Sequence, residues 1–390
     1  MRHSAGPGRY TMKKTIVIVL FLASIGAGIA YILVSSAKMA EARPQEPETP
    51  YPYHTEEVTF RNDSAGITLA GTLTLSDKKG SFPAVVLITG SGPQNRNEEV
   101  LGHKPFLVIA DYLTRRGFAV LRYDDRGVGK STGKFNNATT ADVTTDAESA
   151  VAYLKTRQEI NSGKIGLAGH SEGGLVAAIA ASRTKDIGFI ISLAGPGAKG
   201  IDVITLQSEL IARAGGVDEA GIALIKRANR ETTEIIRSTP DTAGLRAKLM
   251  AYTKANLHDY PLKMMYPGQS KEDFFKFQVN MLCSPWYRYA FEIEPASYFK
   301  KVKCPVLALN GSKDLQVDAS QNLPPILKAV REGGNANVTV KELPGLNHLF
   351  QPCKTGHPNE YGKIRETFSP TALAAMADWL AATIAAPAPG

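Results

Sequence analysis

Gly169-His170-Ser171-Glu172-Gly173 puts a serine at the centre of a G-x-S-x-G motif. The chemistry open to such a serine is nucleophilic attack on an acyl carbon. That chemistry needs the hydroxyl on a sharp turn between a strand and a helix. The residues before the motif, KIGLA, read as a strand, and EGGLVAAIAA after it reads as a helix. A helix start here also directs partial positive charge at a developing oxyanion. Without that context, the same residues would be a serine cap in a glycine turn.

A hydroxyl needs a base, and the base needs an orienting acid. His348 lies in LPGLNHLF, just after the strand-like NVTVKEL, and Asp314 lies in LNGSKDLQV, just after PVLALN. Serine, acid and histidine follow one another in the order this kind of elbow uses. The other histidines are less well placed. His3 and His54 precede the core, His103 precedes an early helix, and His170 is inside the tight turn. His258 falls in a helical stretch, and His357, the second choice, follows the last strand by a longer loop. Asp318 reads better as a helix cap than as the acid. The oxyanion would take one N–H from Glu172 and one from the loop after AVVLIT, with Ser91 favoured and Gly92 the alternative. The competing reading of that loop is that its glycines simply permit a turn.

These residues need a scaffold. Residues 57–60 and 68–75 read as two antiparallel strands. Strand-like runs at 84–89, 118–123, 164–168 and 188–193 alternate with helical runs at 105–116, 142–157 and 172–181. This alternation argues a mostly parallel sheet covered on both faces. From 200 to about 300 the rhythm breaks into helical segments such as LQSELIARAG and KEDFFKFQVNML. Strand and helix then resume at 305–309, 321–331, 337–341 and 370–382. The expected division is an N-terminal segment 1–42, a proline-rich spacer 43–54, a core of 55–199 with 300–384, and a helical insertion 200–299.

Residues 15–34, TIVIVLFLASIGAGIAYILV, carry no charge and follow Lys13-Lys14. Twenty apolar residues suffice to cross a bilayer. The basic flank orients the remainder outward. The expectation is a membrane anchor with the rest exported to the cell envelope. The rival is a cleaved signal, with Ala40-Glu41-Ala42 as its site and a periplasmic or secreted product. Arg2, Arg9, Lys13, Lys14 and Lys38 against Glu41 place half of the net charge of +8 before Arg43. The rest is scattered, which speaks against a nucleic-acid partner. Three cysteines cannot build a dense disulfide framework, although Cys283 with Cys353 is a conceivable pair. Cys304 reads as a small buried filler. Gly127-Val128-Gly129-Lys130-Ser131 imitates the end of a phosphate-binding loop, but Asp124 stands where that pattern wants its first glycine. No histidine and cysteine cluster has metal-ligand spacing, so neither a metal nor a cofactor is expected.

Four stretches together resemble a known superfamily: ITGSGPQNRNE at 88–98, YDDRGVGKSTG at 123–133, GHSEGG at 169–174, and SPWYRY with CPVLALNGSKDLQV between 284 and 317. The chain resembles α/β-hydrolases, and among them bacterial serine esterases related to dienelactone-hydrolase-like and serine-aminopeptidase-like (S33/S9-type) enzymes. The resemblance implies the α/β-hydrolase fold: a mostly parallel eight-stranded sheet flanked by helices, with a helical cap insertion. It implies Ser171 as nucleophile, Asp314 as acid and His348 as base, and a structural role for Asp124, Asp125 and Arg126. It implies a small-molecule ester of short acyl chain as substrate. Relatives usually carry aspartate at Asn95 and Asn97, which puts the ion pairing around Arg96 in doubt. Phe275, Trp286 and Tyr287 are expected to line an acyl pocket or to glue the cap to the core. The rivals are a peptidase with the same triad, anchoring a free terminus through Glu209, Glu234 or Glu292, and an envelope protein that binds without catalysis.

Overall fold

The computed structural model describes residues 43–256 and 270–385. Its sheet begins with a hairpin of β1 (His54–Asn62) and β2 (Ile67–Leu75). Asn62 holds the turn, its side-chain oxygen accepting from the Ala65 N–H and the Ser64 hydroxyl, the usual work of an asparagine at a turn. β3 (Phe82–Ile88), β4 (Ala119–Tyr123), β6 (Phe189–Leu193) and β7 (Val306–Gly311) are short apolar runs buried almost throughout. That is how strands covered on both faces read. With β5 (Ile160–His170) and β8 (Val338–Leu343) they complete an eight-stranded sheet of order β1-β2-β4-β3-β5-β6-β7-β8. β1 and β2 pair antiparallel, as do β2 and β4, and every later pairing is parallel.

Alternate residues of each strand face opposite layers. Ala84, Val86 and Ile88 join a core with helices α2 (Thr140–Lys155), α3 (Glu172–Ala181) and α10 (Ala319–Glu332). Val85 and Leu87 join a second core with α1 (Pro105–Thr114) and α11 (Pro370–Ala385). α2 starts in a reciprocal cap between Thr139 and Asp142, which satisfies two otherwise orphan amides. Between β6 and β7 run α4 (Gly200–Ala214), α5 (Glu219–Arg237), α6 (Thr242–Asn256), α7 (Lys271–Leu282), α8 (Pro285–Glu292) and α9 (Pro295–Phe299). These helices share their own apolar cluster, including Ile204, Leu245, Leu249, Val279, Tyr287 and Phe291. Ile293 then meets Leu175 and Ile179 of α3.

The order of strands places the functional loops. The order in which strands join the sheet reverses between β3 and β5, so the loops leaving these two parallel neighbours diverge and open a crevice at their carboxyl ends, where α/β proteins bind ligands. The loops after β7 and β8 leave from the same edge.

Two expectations are corrected. Among the described residues no helix is long and apolar enough to cross a membrane. The most apolar, α3 and α1, have 10 residues each, short of the roughly 20 a bilayer requires. Residues 15–34 and the Ala40-Glu41-Ala42 site, on which the anchor, signal and envelope expectations rested, lie outside the described residues. Cys283, Cys304 and Cys353 are all free thiols, so the conceivable pair is not made. Arg43, at the head of the proline-rich stretch, is tied to the fold. Its guanidinium donates to the carbonyls of Leu101, Gly362 and Ile364, and Gln45 bonds Thr367 and Phe368.

Candidate active site

Ser171 sits between β5 and α3 with φ of +53°, a left-handed conformation that costs a non-glycine residue energy. The neighbouring glycines make the turn sterically feasible. A Cβ on Gly169 would collide with the Gly173 backbone, and one on Gly173 with the carbonyls of Ile88 and Thr89. The Ser171 N–H donates to the Leu193 carbonyl at 2.8 Å. Glu172 is the first residue of α3, so its N–H has no partner inside the helix.

Asp314 and His348 meet across 34 residues of sequence. His348 Nδ1 lies 2.8 Å from Asp314 Oδ2, and both side chains are buried. Asp314 Oδ1 accepts from the N–H groups of Gln316 and Val317 at 2.8 and 2.9 Å. The carboxylate is thereby held at both oxygens. Asp318 caps α10 through the Gln321 N–H at 2.9 Å. His357 caps a short 3₁₀ turn, Pro358–Lys363, with its Nδ1 accepting from Asn359. His258 lies outside the described residues.

The loop after β3 is braced from below. Asp125 accepts from the Thr89 hydroxyl and the Gln94 N–H, both at 2.8 Å. Arg126 pairs with buried Asp146 at 2.7 Å. Arg96, whose ion pairing the asparagines put in doubt, pairs with Asp124 and Glu57, each at 2.8 Å. The shortage falls on Arg122 instead. Its buried guanidinium donates to the neutral Asn97 side chain, and its Nε has no partner.

Two features were not readable in advance. Glu98 Oε1 accepts from the Gly90 N–H at 2.7 Å and lies 2.9 Å from His170 Nδ1. The other ring nitrogen of His170 lies 2.9 Å from the His348 carbonyl. Burial opposes a charge on the His170 ring. The charge and hydrogen bond of Glu98, the His348 carbonyl and the charge of Asp314 outweigh it and hold the His170 pKa above its ordinary value. The sole sequence signal was a histidine at the first x of G-x-S-x-G. The second feature is a link from the helical block to the elbow. Trp286 Nε1 and the Thr140 hydroxyl both donate to the Glu172 carboxylate.

Two clefts open at this edge. The first, about 480 Å³ of open space, is lined by Ser171, Glu172, Ser91, Leu175, Ile204 and Trp286, among others. The second, about 500 Å³, is lined by Ser91, Gly92, Phe135, Met281, Ser284 and Trp286, among others. Ser91 and Trp286 border both. Phe275 and Tyr287 line neither. Tyr287 faces the apolar cluster of the helical block, and Phe275 is buried against Phe274. Helical spacing gave no warning of this, because a buried stripe and a cleft wall have the same period.

The fold is that of the α/β-hydrolases, and comparisons with known proteins agree. The family model described as X-Pro dipeptidyl-peptidase (S15 family) matches residues 49–334, which include Ser171 and Asp314 but stop short of His348. Esterase EstD of Thermotoga maritima is 26% identical over 283 residues, 72% of this chain but 58% of its own length. A Pseudomonas aeruginosa protein, PA2218, is 30% identical over 139 residues, 35% of each chain. Among solved structures, the Pyrococcus furiosus esterase Pf2001 superposes with a TM-score of 0.53 at 17% identity, covering 88% of this chain and 97% of its own. The PA2218 structure gives 0.52 at 17% identity, covering 89% and 98%. At such identities these superpositions speak for the fold.

Proposed function

The chain belongs to the X-Pro dipeptidyl-peptidase (S15) family, and from that premise we propose that it is a serine hydrolase of carboxylic esters with Ser171, Asp314 and His348 as its triad. The family match points to S15 and not to the S33/S9-type groups that the motifs suggested. The observation that carries the reading is the 2.8 Å contact of His348 with Asp314, at the same sheet edge as the strained elbow of Ser171.

In this reading His348 Nε2 takes the proton of Ser171 Oγ as the oxygen attacks the ester carbonyl. Asp314, on Nδ1, holds the tautomer and stabilises the imidazolium. The N–H groups of Glu172 and Ser91 receive the tetrahedral oxyanion, with Gly92 the alternative donor. His348 returns the proton to the departing alcohol, leaving an acyl group on Ser171. Water, giving its proton to the same histidine, then releases the acid.

The helical block, residues 200–299, acts as the cap. Trp286 divides the acyl side from the alcohol side, and Glu172 holds its indole. Glu172 is the one charged side chain lining either cleft among the described residues, so neutral substrates of short acyl chain suit the site. Esterase is also the activity in the name of the Thermotoga maritima relative.

A second reading, cleavage after an X-Pro dipeptide, is favoured by the family's description. Such a substrate brings a free amine that needs an anionic anchor. Glu209, Glu234 and Glu292 line neither cleft, and Glu209 is engaged by Arg213 and Lys226. Both oxygens of Glu172 already accept hydrogen bonds. Parallel assays on p-nitrophenyl butyrate and on an X-Pro p-nitroanilide separate the two. Ester turnover that disappears in Ser171→Ala supports the proposal. Anilide turnover without ester turnover would replace it, and undiminished ester turnover in Ser171→Ala would refute it.

A further inference from the structure

Behind the elbow lies a second acid–histidine pair with no part in the proton transfers above. Glu98 and His170 are both buried, and they connect three loops. Glu98 Oε1 holds the amide of Gly90, one residue before Ser91, at 2.7 Å. His170 directly precedes Ser171. Its Nε2 faces the carbonyl of His348 at 2.9 Å and must donate there, because a carbonyl can only accept. Its Nδ1 faces a carboxylate at 2.9 Å. With both nitrogens turned to acceptors, the ring satisfies both contacts as an imidazolium.

The surroundings give this arrangement little slack. Glu98 has φ of +51°, a strain that persists only where its surroundings over-determine it. Its N–H is bonded to the Asn95 carbonyl at 2.8 Å. A Cβ on Gly90 would press on Glu98 Oε1 and Ser171 Cβ, each at 3.3 Å, so the loops converge at this point. The His170 and His348 rings are 4.7 Å apart between centroids.

We propose that Glu98 and His170 are positioning residues: the pair ties the oxyanion loop, at the Gly90 amide, to the loop that carries the base, at the His348 carbonyl. This rests on His348 being the base. The charged groups packed around the two rings are Asp314, from the loop after β7, and Glu98, from the loop after β3. Asp125 in turn feels the charge of Glu98, and Tyr361 and Cys353 feel that of Asp314. Among the groups that hold a proton on His170, Glu98 contributes most, and the His348 carbonyl and Asp314 add to it. Removing the Glu98 charge therefore weakens the hold on the Gly90 amide and on the His170 ring together.

The test reads His170 directly, in the full chain with ¹³C-labelled histidine, by NMR titration of its ring signals, identified by their absence in His170→Gln. In Glu98→Gln the His170 midpoint is expected to fall, because the carboxylate that raises it is gone. With p-nitrophenyl butyrate, kcat is expected to fall about ten-fold with KM little changed, the mark of a contribution made in the transition state. If Glu98→Gln does not fold, His170→Gln removes the ring contact with the Glu98 carboxylate, and the same loss in kcat with KM little changed is expected. A His170 midpoint that stays, or a kcat that stays, in the folded variant overturns the proposal. A merely structural pair would lower the melting temperature without that split between kcat and KM. The NMR midpoint needs no turnover, so it stands apart from the Ser171→Ala result that decides the hydrolase reading.

Discussion

The indole N–H of Trp286 donates to both carboxylate oxygens of Glu172 at 2.9 Å, joining α8 to the first residue of α3. A single side chain of the helical block is thus secured beside Ser171. The Thr140 hydroxyl, 2.6 Å from Glu172 Oε1, holds the carboxylate from a third element. Nothing about the elbow motif requires a carboxylate here, since the backbone N–H alone serves an oxyanion. The Glu172 side chain is therefore free to hold the helical block while its amide is left for the proposed oxyanion site.

Trp286 borders both clefts, so its removal should merge them. In Trp286→Ala the preference between p-nitrophenyl butyrate and p-nitrophenyl decanoate should shift about ten-fold toward the longer chain, the scale of discrimination an apolar wall provides. Trp286→Phe keeps a wall and loses only the N–H, so the short-chain preference should persist. kcat/KM across a series of acyl lengths measures this. An unchanged profile in Trp286→Ala would remove the partition from the account.

Asp314 spends one oxygen on His348 and the other on two backbone amides. Asp314→Asn preserves the shape but can present an N–H to His348 Nδ1, which favours the wrong tautomer. The expected loss in kcat is about 10³- to 10⁴-fold, with folding retained by circular dichroism. A loss below ten-fold would mean that another group orients the histidine.

The residues that stood at strand ends were legible because their context is local. Ser171 and Asp314 follow short apolar runs and His348 an alternating one, and the structure puts the three in the turns and loops after β5, β7 and β8. The alternation of strands and helices likewise carried the sheet and the interruption after β6. Through-space partners were not legible. Glu98 meets His170 across 72 residues and Trp286 meets Glu172 across 114. No spacing rule encodes such contacts. Tyr287 and Trp286 are adjacent in sequence, yet one faces the apolar cluster and the other the clefts, because successive helical residues point about 100° apart. Asn97 misled in the opposite way. It directed attention to Arg96, which has two carboxylates, whereas Arg122 lacks one.

Arg122 invites a stabilising substitution. Burial, with Arg96 adding to it, pushes its pKa down to about 10, while Tyr53 and other neighbours oppose the fall. Asn97→Asp would place a carboxylate where the neutral amide already accepts the guanidinium. A hydrogen bond to a charged partner should add about 1–2 kcal/mol, read as a higher urea midpoint at pH 8 with unchanged slope. A lower midpoint would mean that the desolvation of the new carboxylate outweighs the pairing.

His103 should make stability depend on pH on the acid side. Its ring is fully buried, with Nδ1 2.9 Å from the Thr367 hydroxyl and Nε2 3.1 Å from the Tyr361 carbonyl. The carbonyl requires a proton on Nε2, so Nδ1 accepts from the hydroxyl and the ring is neutral. Burial, then the charge of Arg43, pushes its pKa down to about 4 from 6.5. Between these values the unfolded chain binds the proton and the folded one does not. The contribution is therefore complete above 6.5 and is lost as pH falls through 4, to a limit of about 3 kcal/mol. His103→Gln has no such group. Urea unfolding of both proteins at pH 7.5 and 4.5 isolates the effect from the carboxylates they share. The stability gap in favour of the native histidine should narrow by about 2 kcal/mol at the lower pH. A gap of equal size at both values would show that His103 keeps its ordinary pKa in the folded protein.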